Sequence, residues 1–270
     1  MSRSVPAPGA GLRFVAVDWS GSRSQGGSQI WLAAVEDGEL VTLVGRMTRE
    51  GVIETLLGWK AAGMSLLVGL DFGFSVPAWY LADFGCRTAP EFWFVAGRCG
   101  EGWLAACPPP FWGRAGRRRG AEAQFRRTEL ECGAAPKSVF QIGGAGAVGT
   151  GSIRGMPFLP RLRSAGFAIW PFDAPGSATV LEIYPRLLTG PGPKRRAAFC
   201  RAYLDALEWP ADLGQRAAAA SREDAFDAAV SALRMWEARE ELAALGPGGD
   251  AVDLGEGRIW HPARPIARDC

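Results

Sequence analysis

The sequence predicts an α/β protein built on a mixed sheet, with three antiparallel strands followed by parallel ones and helices on its flanks. Three observations carry this. Two short apolar runs flank Asp37-Gly38, a two-residue hairpin signal. Directly after the hairpin the hydrophobic spacing changes from strand-like to helical. It then returns to a short apolar run that ends in Asp71, and a helix between strands favours α/β architecture.

Residues 13–18 (RFVAVD) read as a buried strand, residues 29–36 (QIWLAAVE) as the second, and residues 39–45 (ELVTLVG) as the returning third. Val52, Ile53, Leu56, Leu57 and Trp59 then recur at helical spacing, with Thr48 suited to cap the start and Gly63 to stop the helix. Residues 66–71 (LLVGLD) form a fourth strand. Residues 72–137 are rich in aromatics, Pro, Gly and Arg and show no clean period. They read as an insertion or lid with some helix near residues 121–131. Residues 138–142 are a short apolar stretch, and residues 143–151 (GGAGAVGTG) are a loop by composition. A helix over 159–165, a strand over 166–173 and a strand over 179–184 (TVLEIY), ended by Pro185, follow. Residues 195–207 are helical. Residues 221–245 carry the longest helical pattern, with Ser221 as N-cap and Gly246-Pro247 as the stop. Residues 1–11 read as a loose arm on what is otherwise one domain over residues 1–270.

Composition narrows the chemistry. The 270 residues carry a net charge of +2, so overall charge points to no partner. No apolar h-region opens the chain, no stretch is long enough to span a membrane, and no CxxC pair occurs among the six cysteines. The expectation is a cytoplasmic protein with reduced thiols and no membrane association. The single histidine, His261, rules out a His-rich metal site and leaves one residue on which a Ser–His–Asp apparatus could be built. Carboxylates are therefore the expected working groups.

Asp18 and Asp71 each close an apolar strand and precede a small-residue loop, WSGS and FGFS respectively. Ligands of open α/β sheets gather at such strand ends. Two acids on neighbouring strands cannot both stay ionised cheaply without a cation between them. Glu182 lies mid-strand among Val, Leu, Ile and Tyr, where a carboxylate needs a partner or a metal. Asp224 and Asp227 share a face of the last long helix, and Ala225, Ala228, Ala229 and Ala232 let that helix approach a sheet closely. Taken singly, an Asp after a strand also forms turns, Asp224 also suits a helix N-terminus, and Glu182 could pair with one of the many arginines. Together the five acids are candidate catalytic residues. Asp18, Asp71, Asp224 and Asp227 are the candidate ligands of two Mg²⁺ or Mn²⁺ ions, since hard carboxylate oxygens select such metals. Two ions can activate water and stabilise a leaving oxygen in phosphodiester cleavage.

Arg114, Arg117, Arg118, Arg119, Arg126 and Arg127 cluster with Phe111, Trp112 and Phe125. Guanidinium forks grip phosphates and aromatic faces stack bases, so Arg118, Arg119, Arg126, Arg127 and Arg154, with Ser20 and Ser22 in the loop after Asp18, are candidate substrate contacts for a nucleic acid. A solvated helix face or a salt-bridged lid is the competing reading of the clustered arginines. Gly144–Gly149 satisfies GxGxxG, but Gly155, Pro157 and Pro160 break the helix that a dinucleotide site would require.

The segments VAVDWSG, GLDFGFSVP, GTGSIRGMPFLPRLR, LEIYPRLLTG and REDAFDAAVSAL, in this order over Phe14 to about Trp260, resemble the domain of unknown function 429 family. Its members are predicted nucleases of the ribonuclease H-like superfamily. The resemblance implies a ribonuclease H-like fold, with Asp18 as its first-strand acid and Asp71 as its fourth-strand acid. It aligns Asp224 and Asp227 with the paired acids that Holliday-junction resolvases of that superfamily carry on their last helix. Glu182 does not stand at the usual position of the second acid, and Glu54 in the first helix is a substitute. The expected function is divalent-metal-dependent phosphodiester hydrolysis. The alternatives are a phosphotransferase or ATPase of the sugar kinase and actin type, which needs two copies of the fold, and a non-catalytic nucleotide- or partner-binding protein.

Overall fold

A computed structural model describes residues 11–22, 29–120, 123–133, 135, 137–144, 146–207, 209 and 212–263. The arm expected at the N-terminus falls almost wholly outside these residues. Strands β1 (Leu12–Asp18), β2 (Ile30–Glu36) and β3 (Glu39–Met47) form an antiparallel meander. The turn between β2 and β3 is made by Asp37 and Gly38, both with positive φ (48° and 85°), the conformation that this dipeptide favours. Helix α1 (Arg49–Ala61) follows, capped by Thr48, whose side chain accepts from the Gly51 N–H. Strand β4 (Ser65–Leu70) then enters parallel to β1, and β6 (Ala178–Ile183) lies parallel to β4. Two short strands, β5 (Ala168–Ile169) and β7 (Ile259–Trp260), pair with β6, so the sheet runs β3-β2-β1-β4-β6-β5 with β7 also on β6. It is a mixed α/β sheet flanked by helices, as the sequence predicts.

Each face of the sheet carries its own core. One face presents Val15, Val17, Val68, Leu70 and Val180 to α1, α2 (Ala78–Asp83), α3 (Ala89–Ala106), α5 (Gly149–Gly155) and α6 (Leu159–Ser164). The other presents Phe14, Ala16, Leu67, Leu181 and Ile183 to α7 (Pro185–Thr189), α8 (Ala197–Ala206), α9 (Leu213–Ala219), α10 (Glu223–Glu237) and α11 (Arg239–Ala243). Helices α4 (Arg127–Glu131) and α12 (Ala251–Glu256) pack against each other. Among the described residues no helix is long and apolar enough to cross a membrane.

Several local expectations are corrected. Residues 72–137 contain the 18-residue α3, whose buried positions Ala89, Phe92, Trp93, Ala96, Gly100, Trp103 and Leu104 follow helical spacing. The stripe was hidden because a glycine fills one of its core positions: a Cβ on Gly100 would stand 2.6 Å from Ile153 Cγ2. The helix near residues 121–131 shrinks to α4. Gly149 does not belong to a loop: it opens α5. No strand of the sheet leads into it, only an isolated bridge between Trp112 and Gln141, so the GxGxxG match lacks the βαβ context of a dinucleotide site. The strand expected over residues 166–173 is only two residues long. The long C-terminal helix starts at Glu223 with Arg222 at its cap and breaks at Ala238. Ser221 instead donates its hydroxyl to the Ala218 carbonyl.

Candidate active site

The parallel ladder between β1 and β4 pairs Val17 with Leu70 and continues through the Asp71 N–H to the Val17 carbonyl at 3.1 Å. Asp18 and Asp71 are therefore side by side at the C-terminal ends of two adjacent central strands. Side chains alternate across a strand. Asp18 follows the parity of Phe14 and Ala16, and Asp71 that of Leu67 and Gly69, which is the α10 face. Helix α10 lies against β1 and β2 on this face, and its buried Ala225, Ala228, Ala229 and Ala232 allow close approach. A Cβ on Gly69 would meet Ile183 and the Met235 sulfur at under 3 Å, so β4 itself is bare where α10 crosses it. Small residues on both surfaces thus let α10 carry Asp227 and Asp224 towards the two strand-end acids.

The acids act on one another electrostatically. Burial pushes the Asp18 carboxyl well above the usual carboxylate range, and Asp71, Asp224 and Asp227 push it further; Lys194 opposes them. Asp71 is raised in the same way by burial, then by Asp227 and Glu182, again against Lys194. Asp224 and Asp227 are also raised, each chiefly by burial. Asp18 and Asp71 both keep partial exposure to solvent, which an entering ion or substrate needs.

The sequence missed Lys194. It is 8% exposed, and its ammonium donates to Asp227 Oδ1 at 2.6 Å and to Thr189 Oγ1 at 2.5 Å. One signal was present: lysine occurs only at positions 60, 137 and 194 in a chain whose positive charge is otherwise arginine. Lysine is a compact point charge where arginine is a broad planar fork, so a lysine among so many arginines marks a place that the fork does not fit.

Glu182 is placed elsewhere. It follows the parity of Val180, on the face opposite Asp18 and Asp71. Both its oxygens bind Arg126, at 2.9 and 2.5 Å, and one also accepts the Phe74 N–H at 2.8 Å. It is a buried ion-pair partner with no lone carboxylate left for a metal. Glu54 is exposed on α1 and does not replace it.

The arginines divide. Arg126 is buried and shared between Glu182 and Glu129, so it cannot reach a substrate. Arg127 pairs with Asp250 and Asp253. Arg154 pairs with Glu101 and donates to the Gly21 carbonyl, while Arg49 donates to the carbonyls of Ser20 and Ser22. Arg154 and Arg49 therefore hold the loop after Asp18 in place; in that loop Ser20 Oγ accepts the Ser22 N–H. For Arg126, Arg127 and Arg154 the salt-bridged reading is the one that the structure supports. Arg114, Arg117, Arg118 and Arg119 are exposed, with Arg119 over the Phe125 ring at 4.6 Å. Arg114 and Arg154 line one pocket together with Glu101, Leu104 and Ala105. A crevice beside Asp71 is lined also by Lys137, Tyr184 and the ion-paired Arg126, Glu129 and Glu182.

Comparison of the chain with protein-family models, curated proteins and solved structures finds no match.

Proposed function

We propose that the chain is a divalent-metal-dependent nuclease acting through Asp18 and Asp71, with Asp227 and Asp224 behind them. The observation that carries this reading is the side-by-side placement of two buried acids on adjacent parallel strands, with a third and fourth acid from α10 and a single lysine against them. Such an excess of negative charge is costly unless a cation joins it.

The donor set fits Mg²⁺ or Mn²⁺, which take hard oxygen ligands. Among the described residues no three His, Cys, Asp or Glu side chains converge as a ready-made cage. Mg²⁺ does not need one, since it keeps several waters and binds through one or two carboxylates together with substrate phosphate. Asp18 and Asp71 would hold the ion, and when bound it would neutralise charge on the scissile phosphate and make water more acidic. The protein's own part is orientation. Parallel hydrogen bonding fixes the spacing of Asp18 and Asp71, and the Lys194 ion pair fixes Asp227. The pinned loop of residues 19–22 shapes the approach, and the exposed arginines at 114 and 117–119 attract a polyanion. The described residues form one sheet, unlike the paired lobes of sugar kinases and actin-like ATPases, which favours hydrolysis over phosphotransfer.

The test is a panel of single-stranded and duplex DNA, RNA and a four-way junction, incubated with Mg²⁺ or Mn²⁺. The expected result is cleavage of at least one substrate, abolished by chelation and by Asp18→Asn. Cleavage that survives chelation, or no cleavage of any member, would overturn the proposal.

A further inference from the structure

We infer that Lys194 is a built-in cation occupying the place of a second metal ion, so that the site takes one divalent ion, on Asp18 and Asp71, and not two. This rests on the metal-dependent reading above and changes its stoichiometry.

Asp227 is the α10 acid that a second ion would need, and its Oδ1 is already engaged by the Lys194 ammonium at 2.6 Å. The lysine is not a surface side chain that happens to reach inward. It is buried, and its position is set from three directions. Thr189 spends its hydroxyl proton on the Pro185 carbonyl at 2.8 Å, leaving a lone pair to accept from the ammonium. The Cys200 thiol donates to the Lys194 carbonyl at 3.1 Å, tying the backbone to α8. Thr189 ends α7, which packs against α10, so the lysine and its carboxylate belong to one rigid unit.

The same charge faces the strand-end acids. Among the described residues Lys194 is the cation that acts against the repulsion at both Asp18 and Asp71, as well as at Asp227. Bonded to Asp227, the ammonium already holds the carboxylate that the second ion of a two-ion site would need. An ammonium and a divalent cation repel strongly in such a confined, poorly hydrated space. The first ion keeps its ligands, because the Lys194 ammonium is bonded to Asp227 and no bond ties a lysine or arginine to Asp18 or Asp71 among the described residues. Asp224, half-buried at the solvent edge of α10, is left to meet solvent or substrate.

The experiment is a count of bound Mn²⁺ by titration calorimetry, with electron paramagnetic resonance of free Mn²⁺ as a second readout. It uses the full chain in its wild-type form, Lys194→Met, and Lys194→Met combined with Asp227→Asn. The paired substitution removes the ion pair as a unit, so Asp227 is not left as an orphaned buried charge. Expected are one Mn²⁺ per wild-type chain, one per doubly substituted chain, and two for Lys194→Met alone if that variant folds. Two Mn²⁺ on the wild type would overturn the inference while leaving the metal-dependent reading intact. So would loss of the single ion from the doubly substituted chain, since that would make Asp227 a ligand. No Mn²⁺ bound by the wild type at millimolar concentration would overturn both.

Discussion

At the scale of single residues, the acids fall into two groups with opposite expected behaviour. Asp18 and Asp71 are destabilising in the metal-free protein, because folding buries them beside each other. Asp18→Asn should abolish activity and leave the melting temperature unchanged or raised. Relief of about 1 kcal/mol corresponds to roughly 2–4 °C in a chain of this size. Glu182 and Arg126 behave in the reverse sense. Arg126→Met strands two buried carboxylates, Glu182 and Glu129, and should cost about 3–5 kcal/mol in urea denaturation. A loss under about 1 kcal/mol would show that the pair does not hold the insertion to the sheet. The pH dependence follows from the sign of the shifts. Asp18 and Asp71 have folded-state pKa values above their unfolded ones, so the folded protein holds more protons above about pH 4. Glu129, pushed up to about 7 mainly by burial, acts in the same direction. Stability in EDTA should therefore fall as pH rises from about 5 to 8, and Asp18→Asn should flatten that slope. Melting curves at constant ionic strength check this; a rise in stability over the interval would contradict it.

At the scale of elements, the site depends on how closely α10 lies on the sheet. The helix carries alanine at the positions that face β1 and β2, and β4 carries Gly69 beneath Met235. Ala229→Leu inserts a branched side chain into a fully buried position and should cost about 1–3 kcal/mol by overpacking. It should also lower activity well beyond that stability loss, because Asp227 and Asp224 move with the helix. Equal activity per folded molecule would show that α10 does not position the site. Much of this level was legible in advance. The alanine spacing, the acids three residues apart and the hairpin turn are local patterns, and each was placed correctly. The position of α3 was not, since Gly100 stands where an apolar residue would have completed the stripe. The face of β6 that carries Glu182 could be read from alternation, but not what lay opposite that face: its partner Arg126 is 56 residues away in sequence.

For the whole molecule, the charge distribution is strongly local although the net charge is only +2. The acids collect at the C-terminal ends of β1 and β4, while the exposed Arg117, Arg118 and Arg119 lie on the insertion. Replacing these three by alanine should weaken nucleic-acid binding and reduce the salt slope of log K by up to about 3, at roughly 0.9 per duplex phosphate contact. The melting temperature should stay unchanged, because none of the three forms an ion pair among the described residues. Binding isotherms over a range of salt concentrations measure this, and an unchanged slope would place the nucleic acid on another surface.

The sequence by itself determined the mixed α/β class, the first four strands with the helix between the third and fourth, and the strand-end acids Asp18 and Asp71. These depend on periods of two and of about 3.6 and on where an apolar run stops, all of which are local. Only the tertiary structure decided which charges meet. It sent Glu182 to Arg126 on one face of the sheet and brought Lys194 to Asp227 on the other. Ion pairing acts through space between residues far apart in the chain, so no local pattern records it.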